Sequence, residues 1–265
     1  MAIIRYLAIL SRDPDSLAKF YTTYMGMRVL GRSIEGDVTV TDGAFNVTLF
    51  KQREALNEPN MATGFHHIGI AVDSLDKIEA RYRKFYPRGT VVRESGDLHH
   101  GEMRIYDPEC HPVTLSQRNF NLGPNTAKVP RIAHIAMGAL DPGAVYDFYA
   151  NVFELPEMLI AHAESAKQPG YRNRHVGDGF TNVALQAFYN DHEGHEGRHG
   201  IAHIGFVVED AMALAESARG FATLTRRPAS RVQSEVRMRD PEGNGYDLSR
   251  RGWEVGIDQW ARVEA

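Results

Sequence analysis

Gly200-Ile-Ala-His203-Ile-Gly-Phe-Val-Val-Glu-Asp210 reads as a buried strand with one polar residue, His203, set among apolar neighbours, and a helical pattern follows at once. The phrase returns as Phe65-His-His67-Ile-Gly-Ile-Ala-Val-Asp73, in which His67, Ile68, Gly69 and Val72 match His203, Ile204, Gly205 and Val208. A related form is Arg131-Ile-Ala-His134-Ile-Ala-Met137, and a degenerate one is Arg5-Tyr6-Leu-Ala-Ile9. Four echoes of one strand make an internal repeat, and that repeat decides the architecture.

Each echo heads the same series of elements. After the first, Asp13 is placed to cap a helix that Pro14 opens, with Leu17, Phe20, Tyr21 and Tyr24 at helical spacing and a stop at Gly26. Short β-like runs follow near 27–33, 37–42 and 45–51, separated by turn residues at Glu35-Gly36-Asp37 and Asp42-Gly43. Beyond a polar connection from Glu54 to Gly64 come a strand at 66–72, a helix from Ser74 to about Tyr86, and strands near 90–95, 102–107 and 112–117. Asn119 to Pro130, rich in Asn, Gly and Pro, reads as a linker.

The third unit then aligns with the first, Asp13, Pro14, Phe20 and Tyr21 becoming Asp141, Pro142, Phe148 and Tyr149. The fourth aligns with the second, Asp107-Pro-Glu109 and Leu115-Ser116 becoming Asp240-Pro-Glu242 and Leu248-Ser249. The expected fold is α+β: four βαβββ modules in two tandem domains, 1–120 and 130–252, with a tail at 253–265. Trp253 and Trp260 in that tail would suit a short element packed against another surface, such as a second subunit of a homo-oligomer.

Composition narrows the partners. A formal net charge of -4, a pI near 6.3 and no block of Lys or Arg remove the electrostatic footprint of a nucleic-acid binder, which leaves a small molecule as the expected partner. The apolar start, Met1 to Leu10, lacks a basic leader and runs into Arg12-Asp13, so it reads as a first strand. No apolar run approaches the roughly 20 residues of a bilayer span, so no membrane partner is expected. Cys110 is the only cysteine, which excludes an intramolecular disulfide and fits a reducing, cytoplasmic setting.

The four modules, the His near the start of a strand, the Asp-Pro-Glu-Gly-Asn-Gly turn at 240–245 and the Asp247-Leu-Ser strand after it resemble the vicinal oxygen chelate superfamily. That superfamily includes glyoxalases, bleomycin and fosfomycin resistance proteins, an epimerase group and the type I extradiol dioxygenases. The resemblance implies paired modules that curl into half-barrels, with a divalent metal held between the first and last strands of each module. First-strand positions here are Tyr6, His67, His134 and His203; last-strand positions are Thr48, Thr114, Ala184 and Asp247.

Read this way, the N-terminal pair offers Tyr6, Thr48, His67 and Thr114, with no carboxylate, and is expected to hold no catalytic metal. His67 there reads as a core histidine. The C-terminal pair offers His134, His203 and Asp247, a facial triad suited to Fe(II), with Mn(II), Ni(II), Co(II) or Zn(II) also compatible. The family usually places Glu, a methylene longer, where Asp247 stands.

Two modules without metal followed by two with it resemble the extradiol dioxygenases, which implies ring cleavage of a catechol-like substrate that chelates the metal through two adjacent oxygens. This sequence departs from their acid–base residues. Thr181, Asn182 and Val183 stand where those enzymes carry a His, Arg237 where they carry a Tyr, and Pro228 to Arg231 supplies no second His. The connection from Asp191 to His199 holds three histidines, of which His195 and His199 are the candidate acid–base residues, although its composition also fits a solvated loop. Arg237 and Arg239 lie on the strand that pairs with that of Asp247, and one of them is expected to face the cavity. Arg237 there would favour an anionic substrate or stabilise enolate-like charge; the other reading is a surface cation beside the turn. Two alternatives to ring cleavage stand: a redox-neutral lyase or isomerase of glyoxalase or epimerase type, and a resistance-type binding protein without metal. In the last, His134 and Asp247 would be core polar residues with other partners.

Overall fold

A computed structural model describes residues 2–52, 63–94, 100–124, 128–158, 173–187, 199–220, 223–226 and 234–253. The first module comprises β1 (Ala2–Ser11), α1 (Pro14–Tyr24), β2 (Arg28–Arg32), β3 (Val38–Thr41) and β4 (Asn46–Lys51). The second comprises β5 (Gly64–Val72), α2 (Leu75–Phe85), β6 (Val91–Arg93), β7 (Met103–Tyr106) and β8 (Pro112–Ser116). The third shows β9 (Arg131–Ala139), α3 (Pro142–Phe153), β10 (Arg174–Gly177) and β11 (Asn182–Ala187), with residues 159–172 outside the described part. The fourth comprises β12 (Gly200–Val207), α4 (Ala211–Ser217), β13 (Thr223–Arg226), β14 (Val236–Arg239) and β15 (Gly245–Ser249).

The helices start where their caps demand. Asp13 accepts from the Ser16 N–H and Asp141 from those of Gly143 and Ala144, each just ahead of a proline that has no N–H to satisfy. Ser74 and Asp210 do the same for α2 and α4. Each pair of modules shares one sheet, ordered β2-β3-β4-β1-β5-β8-β7-β6 in the first half and β10-β11-β9-β12-β15-β14-β13 in the second. Alternation along the strands turns Leu7, Ile68, Ile135, Ile204 and Tyr246 toward the helices, and these join a single core with Leu17, Tyr21, Val145 and Phe148. The core is continuous between halves: Phe20 and Tyr21 of α1 pack on Tyr246 and Phe206 of the second sheet, and Tyr82 of α2 and Tyr86 just past its end pack on Phe148 of α3.

Half-buried carboxylates tie the halves together reciprocally. Asp42 accepts from the Ile132 N–H at 2.9 Å, and Asp178 from the Ile4 N–H at 2.6 Å. Glu242 accepts from Ser11 Oγ at 2.8 Å and the Asp13 N–H at 2.9 Å, while Glu109 accepts from the N–H groups of Leu140 and Asp141 at 2.9 and 2.6 Å. Each acidic turn thereby satisfies backbone donors at a strand start or strand-to-helix corner in the opposite half.

The stretch from Asn119 to Pro130 begins with a folded turn. Asn119–Asn121 forms a 3-10 turn that buries Phe120 completely against Tyr6, with the rings 4.9 Å apart and nearly parallel. Ser116 Oγ accepts the Phe120 N–H at 3.1 Å and holds the turn in place. Among the described residues no helix is long and apolar enough to cross a membrane.

Candidate functional site on the second sheet

Register builds the site. Asn182 on β11, His134 on β9, Gly205 on β12, Asp247 on β15 and Arg237 on β14 are paired one to the next, so they form a single rung across five strands. His203 lies two residues before Gly205 on the same face of β12. Their chain neighbours Ile135, Ile204, Tyr246 and Leu248 belong to the core, so the rung faces away from the helices. His134, His203 and Asp247 are all buried.

Arg237 closes this group. Its Nε donates to Asp247 Oδ1 at 2.7 Å and one terminal nitrogen donates to Oδ2 at 2.9 Å, a two-pronged contact between guanidinium and carboxylate. The same terminal nitrogen lies 3.1 Å from His203 Nε2, which itself lies 3.5 Å from Asp247 Oδ2. His134 Nδ1 donates to the Asn182 side-chain oxygen at 2.6 Å, which leaves Nε2 as the basic nitrogen of that ring. Trp253 stacks on His134 with centroids 4.8 Å apart and planes 7° apart. A Cβ at Gly205 would collide with the Trp253 ring, so this glycine is what lets the indole approach.

The donor types of His134, His203 and Asp247 suit a divalent ion. Both carboxylate oxygens of Asp247 accept from the Arg237 guanidinium, which also lies 3.1 Å from His203, so an ion bound by Asp247 would compete with Arg237. Among the described residues the one group of three such donors whose atoms all lie within 4.8 Å of one another is Glu109, His111 and His199, elsewhere in the molecule.

The other expected site residues separate. His199 bonds Glu109 Oε2 at 2.6 Å through Nε2, on the seam between halves, and His195 and Trp260 lie outside the described residues. Arg237 and Arg239 share a face because they are two residues apart, so the expectation that one alone could face inward is corrected by the strand period of two. They part by reach: Arg239 turns to the Gly243 carbonyl at 3.0 Å. Tyr246 is core, as its place beside Asp247 implies, and burial next to Asp240 raises its hydroxyl pKa strongly. His67 is buried in the first sheet, and burial, then His66, Arg104 and His100, hold its pKa well below the usual imidazole range. Glu109 is opposed by burial, but the N–H groups of Asp141 and Leu140 and the ring of His199 outweigh it and hold the carboxylate below its ordinary range.

The sequence reading missed Asn182 as the residue that orients His134 and Trp253 as its cover. A signal existed for the second: Trp253 follows Ser249 by four residues, as Phe120 follows Ser116. The Trp253 part of the tail therefore packs on its own chain.

A family model described as the Glyoxalase/Bleomycin resistance protein/Dioxygenase superfamily matches residues 3–114 and 131–248. A search of curated protein sequences returns no match. Among solved structures, the chain is similar to the 2,3-dioxygenase LapB from Pseudomonas sp. KL28, with TM-score 0.70 and 13% identity over 97% of this chain and 94% of that one. It is similar to the Mn(II)-bound glyoxalase from Novosphingobium aromaticivorans, with TM-score 0.71 and 16% identity over 97% and 84% of the two chains. An extradiol ring-cleaving dioxygenase from B. fuscum gives TM-score 0.67 and 12% identity over 96% and 73%. At such identities these likenesses establish the fold.

Proposed function

Because the chain belongs to the glyoxalase/bleomycin resistance protein/dioxygenase superfamily, we propose that its working site is the rung on the second sheet, that it binds a small molecule with two adjacent oxygens, and that Arg237 supplies the positive charge there. The observation that carries this reading is the two-pronged contact of Arg237 with Asp247 beside His203. A guanidinium held this way is a fixed planar cation whose fork matches a carboxylate or catecholate. A ligand oxyanion competes with Asp247 for it, so Arg237 changes partners as the ligand binds.

The chemistry open to these residues is proton transfer. His134 keeps its Nδ1 proton on Asn182 and offers Nε2 as a base, and His203 beside Arg237 supplies a second imidazole. This suits a redox-neutral reaction of the lyase or isomerase kind on an oxygen-rich anion. Calorimetric titration with catechol and with a 2-hydroxycarboxylate tests it. Wild type binds at least one of them, and Arg237→Gln weakens binding by about tenfold or more; equal binding by the two proteins contradicts the reading.

A second reading rests on the donor types of His134, His203 and Asp247 and on the fold shared with 2,3-dioxygenases. It is an extradiol-type ring-cleaving enzyme using Fe(II), or a glyoxalase-type enzyme using Mn(II), Ni(II), Co(II) or Zn(II). It requires Arg237 to leave Asp247, and it predicts oxygen uptake with catechols in the Fe(II) case.

A further inference from the structure

We propose a transition-metal site at the seam between the halves, formed by Glu109, His111 and His199, that takes Zn(II) or an ion of similar ligand preference. It is independent of the reading of the second sheet. The donor atoms of the three residues lie within 4.8 Å of one another, and the rings of His111 and His199 are 4.4 Å apart between centroids. His111 Nδ1 donates to Asp107 Oδ2 at 2.8 Å, so its lone pair sits on Nε2. That Nε2 is buried and has no hydrogen-bond partner, and a Cβ built on Gly200 would come within 3.6 Å of it, so it is turned toward the chain at His199. An imidazole pinned by a carboxylate on one nitrogen, with the other buried beside a second imidazole and a carboxylate, is how proteins prepare a metal ligand. Two nitrogens and one oxygen suit Zn(II), with water completing the coordination.

The repeat supplies an internal control. The sister turn at 240–244 is built by the same kind of aspartate: Asp240 Oδ1 accepts from the N–H groups of Glu242 and Asn244, as Asp107 Oδ1 accepts from those of Glu109 and His111. Glu242 clasps the opposite half just as Glu109 does, yet Asn244 stands where His111 stands. The clasp therefore needs no histidine, and His111 and His199 are additions to it. An ion here would bridge the turn between β7 and β8 to the leading end of β12, stapling the halves.

Chelator-treated full-length protein titrated with Zn(II), and with Co(II) for its visible absorption, tests the site. Wild type takes up about one Zn(II) per chain and gains thermal stability; His203→Ala and Asp247→Ala do the same. His111→Asn, which restores the chemistry of the sister turn, and His199→Ala each bind at least about tenfold more weakly while remaining folded. Failure of wild type to bind, or binding in those two variants equal to wild type, overturns the site. Binding lost in His203→Ala and Asp247→Ala instead also overturns it, and moves the ion to the second sheet.

Discussion

Across the first sheet stand Asn46, Tyr6, Gly69, Thr114 and Arg104, and in the same register across the second stand Asn182, His134, Gly205, Asp247 and Arg237. The backbone frame is one, and three of the five residue types are unchanged. Tyr6 accepts an aromatic cap, Phe120, and the face becomes a small second core with Ala8 and Ala71. His134 and Asp247 at the matching places accept a cap, Trp253, and a cation, Arg237. The arginines show why: Arg104, opposite a hydroxyl, pairs with Glu94 at 2.8 Å in a half-exposed contact, whereas Arg237, opposite a carboxylate, turns inward. Two side chains separate a face closed by stacked aromatic rings from one that gathers imidazole, carboxylate and guanidinium, which is why function belongs to the site and the fold alone does not assign it.

That contrast can be broken from either side. Phe120→Ala removes a wholly buried ring and is expected to cost about 4 kcal/mol. Trp253→Ala should cost visibly less in a denaturant melt and should shift the His134 ring resonances, because the indole covers a polar group. Arg237→Ala strands the buried Asp247 carboxylate and is expected to cost about 3 kcal/mol, against less than about 1 kcal/mol for Arg104→Ala, whose partner is half-exposed. Equal losses would mean that Asp247 is not bound to Arg237 in solution. Next come the glycines: a Cβ at Gly69 would lie 2.7 Å from both Phe120 Cζ and Tyr6 Cβ, so Gly69→Ala should cost roughly 2 kcal/mol. Gly205→Ala should instead displace Trp253 and change its fluorescence.

The smallest effect concerns pH. His67 is held neutral by burial, with a folded pKa well below its unfolded one. The unfolded chain therefore binds the extra proton, so stability is full above about pH 6.5 and falls as pH drops toward the folded pKa, by up to about 1.4 kcal/mol per unit. His67→Gln should flatten that slope in melts recorded between pH 7 and pH 5.5, whereas an unchanged slope would show that His67 is already hydrated.

The repeat made much of this legible before any coordinates. Asp13-Pro14 and Asp141-Pro142 carry their own capping chemistry, and strand-start histidines at matched places put His134 and His203 on the same sheet face as Asp247. The contact of Arg237 with Asp247 was not legible, because register places the two opposite each other but the reach of a guanidinium decides whether it turns in or out. Nor was the position of His199, whose partner Glu109 is ninety residues away with no local signal joining them. The repeated Asp-Pro-Glu turns were visible as a motif, yet their role as reciprocal clasps depends on how the halves pack.

Metal analysis of protein purified without oxygen, comparing wild type with His203→Ala and Asp247→Ala, tests the central claim that Asp247 pairs with Arg237 and not with an ion. The predicted result is no stoichiometric metal that depends on His203 or Asp247, whatever the seam holds. About one iron per chain in the wild type, lost in both variants, would contradict it and establish the metal-dependent reading.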